Sequence, residues 1–166
     1  MHRALTDRRT LIVAGALAAV LAALITWLAW PDRPPAPRER QYKATTACLL
    51  TDDHDLAGEP AKAAWDGMQD ASLATLIKVQ HLAISGPQTA ANGLTYYNTL
   101  GVQHCTVIIA AGDVPVAAMT LGIDTFPAIR HVAVGGDPKG KAVSVVDDSS
   151  PASIRSGVKA LVAAAA

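Results

Sequence analysis

Four short segments hold most of the residues that could do chemistry. They are Asp52-Asp53-His54-Asp55, Ser85-Gly86-Pro87, Gly112-Asp113 and Gly135-Gly136-Asp137. Carboxylates and hydroxyls accept hydrogen bonds from a polar solute, and glycine lets backbone approach it closely. The same residue types are also ordinary turn and cap chemistry. Asp52 to Asp55 could supply metal ligands, but four adjacent loop residues rarely close a coordination sphere without distant partners. No metal is therefore expected. His2, His54, His81, His104 and His131 are scattered. His81 and His131 fall in strand-like runs and read as strand-face residues.

Several chemistries lack their sequence basis. There is no GxSxG turn to present a nucleophilic serine. There is no glycine-rich Lys-Ser/Thr loop for nucleotide phosphates, and no GxGxxG follows the first apolar run. No C-x-x-C is present for thiol exchange. The expectation is a protein that is not an enzyme, with no catalytic residue and no cofactor. The candidate ligand-binding residues are Asp52, Asp53, Gly112 and Asp113, joined by Ser85, Gly86, Gly135 and Asp137.

The elements that position them follow from composition and periodicity. The chain has 166 residues, 14 Lys+Arg against 14 Asp+Glu, 51% hydrophobic and 4% aromatic. That suits one domain with an appendage. A net charge of zero argues against nucleic acid, which demands a basic surplus. Alanine occurs 33 times, which fits helices packed closely on a sheet. From residue 45 apolar runs alternate with helical patterns. Strands are expected at 45–51, 77–84, 105–112, 129–136 and 142–146. Pro60 opens a helix carrying Ala61, Ala64, Trp65, Met68 and Ala71 on one stripe. A second helix over 88–100 carries Ala90, Leu94 and Tyr97, with Gly101 as its stop. A short helix follows at 114–122, and Pro151 opens the last, capped by Ser149 or Ser150.

This alternation predicts an α/β fold, a doubly wound and mostly parallel five-stranded sheet of order 2-1-3-4-5. The fifth strand is separated from the fourth only by DPKGK, which is short for a parallel crossover and invites a hairpin. In such a sheet the ligand crevice lies beyond the strands' carboxyl ends, where the four polar segments fall.

Residues 10–30, TLIVAGALAAVLAALITWLAW, are free of charge. Twenty-one residues at 1.5 Å each span a hydrocarbon core of roughly 30 Å. The run ends in Trp27, Leu28, Trp30 and Pro31, a poor cleavage site. The expectation is one transmembrane signal anchor at 10–30, with 1–9 cytoplasmic, a proline-rich linker at 31–44 and the lobe at 45–166 outside the cell membrane. The basic residues flanking the run are nearly balanced, so orientation rests on the short basic head.

Cys48 lies early in the first strand and Cys105 opens the third. In a 2-1-3 order these strands are parallel neighbours about 4.8 Å apart, which predicts a Cys48–Cys105 disulfide at the end away from the crevice.

CLLTDDHD is similar to the first strand and acidic pair of a response-regulator receiver. That family also carries an aspartate ending its third strand and a lysine ending its fifth. Here Asp113 is displaced past Gly112, and the fifth strand ends in Val146-Asp147. A second resemblance covers more of the chain. ACLLTDD, AAWDGMQDAS, CTVIIAAGDVPVAAM, RHVAVGG and AVSVVDD…ASIRSGVKALVA resemble the first lobe of the BMP (basic membrane protein) family. These are type 1 periplasmic-binding-protein-like, ABC-transporter substrate-binding lipoproteins. The likeness spans about 45–165 and includes the Trp65-x-Gly67-x-x-x-Ala71 helix. It implies a binding or sensing module for a small solute such as a nucleoside, held between two lobes. Asp52, Asp53, Gly112, Asp113, Gly135 and Asp137 would line the first-lobe wall. The chain spans about one lobe, so the second wall would come from a second lobe or protomer. The alternative is a structural or interaction domain that kept the fold and lost the ligand.

Overall fold

The computed structural model describes residues 3–28 and 41–166. The chain divides into two units, Met1–Glu39 and Arg40–Ala166. In the first, helix α1 spans Arg3–Leu28, and Leu17, Leu21, Ile25 and Trp27 on it are exposed. Among the described residues, no helix is long and apolar enough to cross a membrane. The anchor expected at 10–30 runs partly onto residues outside the described ones, as does most of the 31–44 linker. The structure thus lends the anchor no support of its own.

The second unit is a five-stranded parallel sheet in the order β2-β1-β3-β4-β5. Its strands are β1 (Thr46–Thr51), β2 (Lys78–Ala83), β3 (Val107–Ala111), β4 (Arg130–Val134) and β5 (Ser144–Val146). Its helices are α2 (Glu59–Thr75), α3 (Ala90–Val102), α4 (Asp113–Gly122) and α5 (Pro151–Ala163). Each strand's alternation divides its side chains between two apolar layers. Ala47, Leu49, Val107, Ile109, Val132 and Val134 meet α2 and α5 on one face. Cys48, Leu50, Ile108, Ala110 and Ala133 meet α3 and α4 on the other. All five residues of β3 are buried, as expected for a central strand covered on both faces.

Small residues set how close the layers come. Gly67 on α2 is buried, and a Cβ there would run into the Arg155 carbonyl oxygen of α5. Pro60 lies in the first turn of α2. Ser150 caps α5, its hydroxyl accepting from the Ser153 N–H at 3.1 Å. On the other face, Tyr97 of α3 is fully buried and its hydroxyl lies 2.7 Å from Nε2 of buried His131 on β4. Burial pushes the Tyr97 hydroxyl up to about 12 and the His131 imidazole down.

Two expectations need correction, and a third is met with a difference in detail. β5 pairs parallel to β4, with Val132 opposite Ser144 and Val134 opposite Val146, so there is no hairpin. The connection runs over nine residues, 135–143, with Gly135, Gly136, Lys139 and Gly140 all at positive φ. Nine extended residues reach roughly 30 Å, enough to return along strands this short without a helix. Gly101 does not stop α3, which continues to Val102. Its missing side chain makes room for the Phe126 ring, and His104 takes the left-handed conformation after the helix instead. The Cys48–Cys105 disulfide is present with Cα atoms 6.0 Å apart, but the cysteines are not in register. Cys48 pairs with Ile108, and Cys105 sits in the lead-in to β3, folded back so that its N–H donates to the Leu100 carbonyl.

Candidate functional site

The sheet's winding reverses between β1 and β3. α2 leaves β1 toward one face and α4 leaves β3 toward the other, so the space beyond their carboxyl ends is where an open α/β sheet usually places a ligand. Asp52 to Asp55 follow β1. The His54 N–H donates to Asp52 Oδ1 at 3.0 Å, and Asp55 turns left-handed into a short 3-10 turn, Asp55–Ala57. His54 Nδ1 lies 3.1 Å from Asp53 Oδ1 and 3.7 Å from Asp52 Oδ1. Both side chains of the closer pair are more than half exposed, so the pair contributes little stability. One ligand atom each from Asp52, Asp53 and His54 falls within 4.8 Å of the others. Solvated acidic turns commonly do this, and the grouping assigns no metal.

Gly112 starts α4 at φ 98°, and a Cβ there would lie 3.9 Å from Asp52 Oδ2. The carboxylate of the first loop thus hangs over the glycine of the third. Asp113 begins α4 and faces the loop after β4. A Cβ on Gly136 would lie 3.2 Å from Asp113 Cα and 3.4 Å from its Oδ1. A Cβ on Gly135 would lie 3.6 Å from Asp148 Oδ2. Asp52, Gly112, Asp113 and Gly136 therefore adjoin one another, with Gly135 against Asp148 and Asp53 exposed.

Three candidates belong elsewhere. Ser85 and Gly86 form their own turn after β2, bound to α3 through the Ser85 carbonyl. It accepts from Asn92 Nδ2 at 2.8 Å and from the Tyr96 hydroxyl at 3.2 Å. Asp137 folds onto its own loop, its Oδ1 accepting from the Lys139 N–H at 2.8 Å. Asp148 and Gly136 join the floor without having been singled out. The Gly-Gly pair was the available signal for Gly136. Asp148 had none, because its place follows from the parallel β5. A further polar group, Thr51, Asp55 and His81, forms at the β1–β2 end. His81 Nε2 lies 3.4 Å from Asp55 Oδ1, and its ring meets Trp65 edge-on at 5.0 Å.

The floor is acidic. Asp52, Asp53, Asp113 and Asp148 come from three segments, 52–55, 112–113 and 147–150, which carry no lysine or arginine. The Ser149 N–H donates to Asp147 Oδ1 at 3.0 Å and holds that carboxyl below the usual carboxylate range. Such a floor accepts hydrogen bonds from hydroxyl or amino groups and repels anions. The cavities of about 460 Å³ at the amino ends of β4 and β5, and about 470 Å³ beside β5 and α5, take in neither Asp52 nor Asp113.

No protein-family model matches the sequence, and no curated protein matches it. Among solved structures, the chain is similar to a fragment from Peptoclostridium difficile 630 named as a candidate lipoprotein. The TM-score is 0.58 at 12% identity, covering 73% of this chain and 98% of that one. At that identity the likeness is one of fold. It also overlaps a transcriptional activator of the comK gene from Bacillus halodurans (TM-score 0.49, 14% identity, 60% of this chain and 33% of that one). A third overlap is with an ABC transporter solute-binding protein from Aeropyrum pernix K1 (TM-score 0.45, 14% identity, 60% and 27%). This chain spans about a third or less of those two proteins.

Proposed function

We propose that residues 45–166 act as a single periplasmic-binding-protein-like lobe, held outside the cell by a membrane anchor at 10–30, that binds a small solute without turning it over. The observation that supports this is that Asp52, Gly112, Asp113 and Gly136 adjoin one another at the sheet's switch point. An acidic, glycine-lined floor suits a neutral or cationic solute rich in hydroxyl or amino donors, a nucleoside among them. The BMP-like motifs in the sequence support the same substrate class. The anchor rests on the uncharged run at 10–30. One wall buries too little of a small ligand for tight capture, so a second lobe or protomer completes the site.

A thermal-shift screen of the full chain in detergent tests this with nucleosides and other polyhydroxylated solutes. A ligand at 100 times its Kd stabilises by about 2.7 kcal/mol. A response lost in Asp113→Ala supports the crevice. No response to any solute favours the second reading, a lobe that keeps the fold for protein interaction alone. The exposed, open setting of Asp53 and Asp113 suits that reading. Protease added to spheroplasts separately tests the compartment: digestion of the lobe is expected, and full protection would refute the outside placement.

A further inference from the structure

The sheet has two edges, and they are built differently. β2 carries Lys78 and the exposed His81 along its length, the kind of polar residue that deters further pairing. β5 is Ser144-Val145-Val146, with neither charge nor proline. Val145 is 62% exposed. Among the described residues nothing pairs with the outer side of β5. A groove of about 470 Å³ runs beside it, lined by Val145, Val146 and Asp147 and by Ser153, Gly157 and Ala160 of α5. The edge is short, but its free backbone groups and exposed Val145 leave it able to take another strand.

The charges flanking β5 select its orientation. Lys139 and Lys141 precede the strand, and Asp147 and Asp148 follow it. A second β5 laid antiparallel sets each basic end against an acidic one. A parallel strand of the same sequence would stack like on like. Antiparallel pairing of identical edges is also what a two-fold axis normal to the sheet produces. With the axis at Val145, Ser144 of each copy lies opposite Val146 of the other. The same axis brings the two α5 helices side by side on one face of the joined sheet. Gly157 makes room for Val146 beneath it, and the small Ser153 and Ala160 leave the outer side of α5 unobstructed for close helix packing. Lys141 already lies 2.7 Å from Asp124, so the exposed Lys139 is the nearer partner for the acidic end.

We propose that β5 is the contact through which two copies of this chain join, antiparallel, into a continuous ten-stranded sheet. The contact is independent of the crevice and of what the crevice binds. The full chain in detergent, followed by mass photometry over a dilution series, should show a monomer–dimer equilibrium. Val145→Lys places two ammonium groups against each other across the axis and should weaken the dimer by about tenfold or more. Val145→Cys should form an intermolecular disulfide under mild oxidation, since directly opposed residues have Cα atoms about 4.5–5.5 Å apart. Leu121→Cys on α4, similarly exposed at 59%, should not. A wild-type chain that stays monomeric throughout would overturn the proposal and leave the edge to another protein's strand. A dimer unaffected by Val145→Lys would overturn it too, by placing association elsewhere. Equal cross-linking at 121 and 145 would do the same.

Discussion

The Tyr97–His131 pair makes the domain sensitive to acid in a definable window. The His131 ring is 6% exposed, and burial lowers its pKa below the ordinary 6.5. It stays neutral in the folded state while the unfolded chain takes up a proton below pH 6.5. Its contribution to stability is therefore fully present above pH 6.5 and is lost as pH falls toward the folded-state value. The limiting slope for one proton is about 1.4 kcal/mol per pH unit. Urea unfolding between pH 7.5 and 5 should show this decline, ahead of the carboxylates, which titrate lower. His131→Leu should flatten the decline between pH 6.5 and 5. Tyr97→Phe should cost about 1–3 kcal/mol at pH 7.5, because Nε2 would lose its partner at 2.7 Å inside the apolar layer. A wild-type protein more stable at pH 5.5 than at 7.5, or an identical slope in His131→Leu, would refute the reasoning.

Replacing both Cys48 and Cys105 with alanine opens a loop of 57 residues and should cost about 4 kcal/mol by the chain-entropy relation, read from denaturation midpoints. Gly67→Ala should destabilise by about 1–3 kcal/mol despite alanine's better helix propensity, since its Cβ has no room beneath the Arg155 carbonyl. A neutral result in the same assay would mean that α2 and α5 are not so close. Asp53→Ala and Asp113→Ala should leave stability within about 1 kcal/mol while changing the solute response. Unfolding of either variant would make that residue part of the fold's own network instead.

The strands were legible because their signal is local. β1, β3 and β4 are short apolar runs bounded by turns, and the observed limits fall within two residues of those expected. Pro60 and Ser150 marked helix starts for reasons confined to one turn. What sequence did not disclose depends on partners far along the chain. Gly101 looks like a stop until Phe126 is placed against it. Loop length alone pointed to a hairpin between β4 and β5, and only four left-handed residues in that loop let the strand return parallel. The crevice was half legible. The switch-point rule located Asp52, Gly112 and Asp113, whereas Asp137 turned inward on its own loop and Asp148 arrived through the parallel β5.

The bond between Cys48 and Cys105 encloses α2, β2 and α3 within a single covalent ring. Gln80 Nε2 lies 3.2 Å from the Cys48 sulfur and 3.5 Å from the Cys105 sulfur, and it donates to Gln103 Oε1 at 3.0 Å. The clasp is thus sealed on its β2 side by a residue from inside the ring. In a reducing compartment the ring cannot close, and the chain forgoes a large share of the roughly 5–15 kcal/mol that holds an ordinary domain folded. A chain synthesised there is easier to thread outward through a narrow conduit. Once it reaches an oxidising space, closure makes the return to a threadable state costly. For a chain that moved from a reducing to an oxidising space, this closure would make the passage one-way.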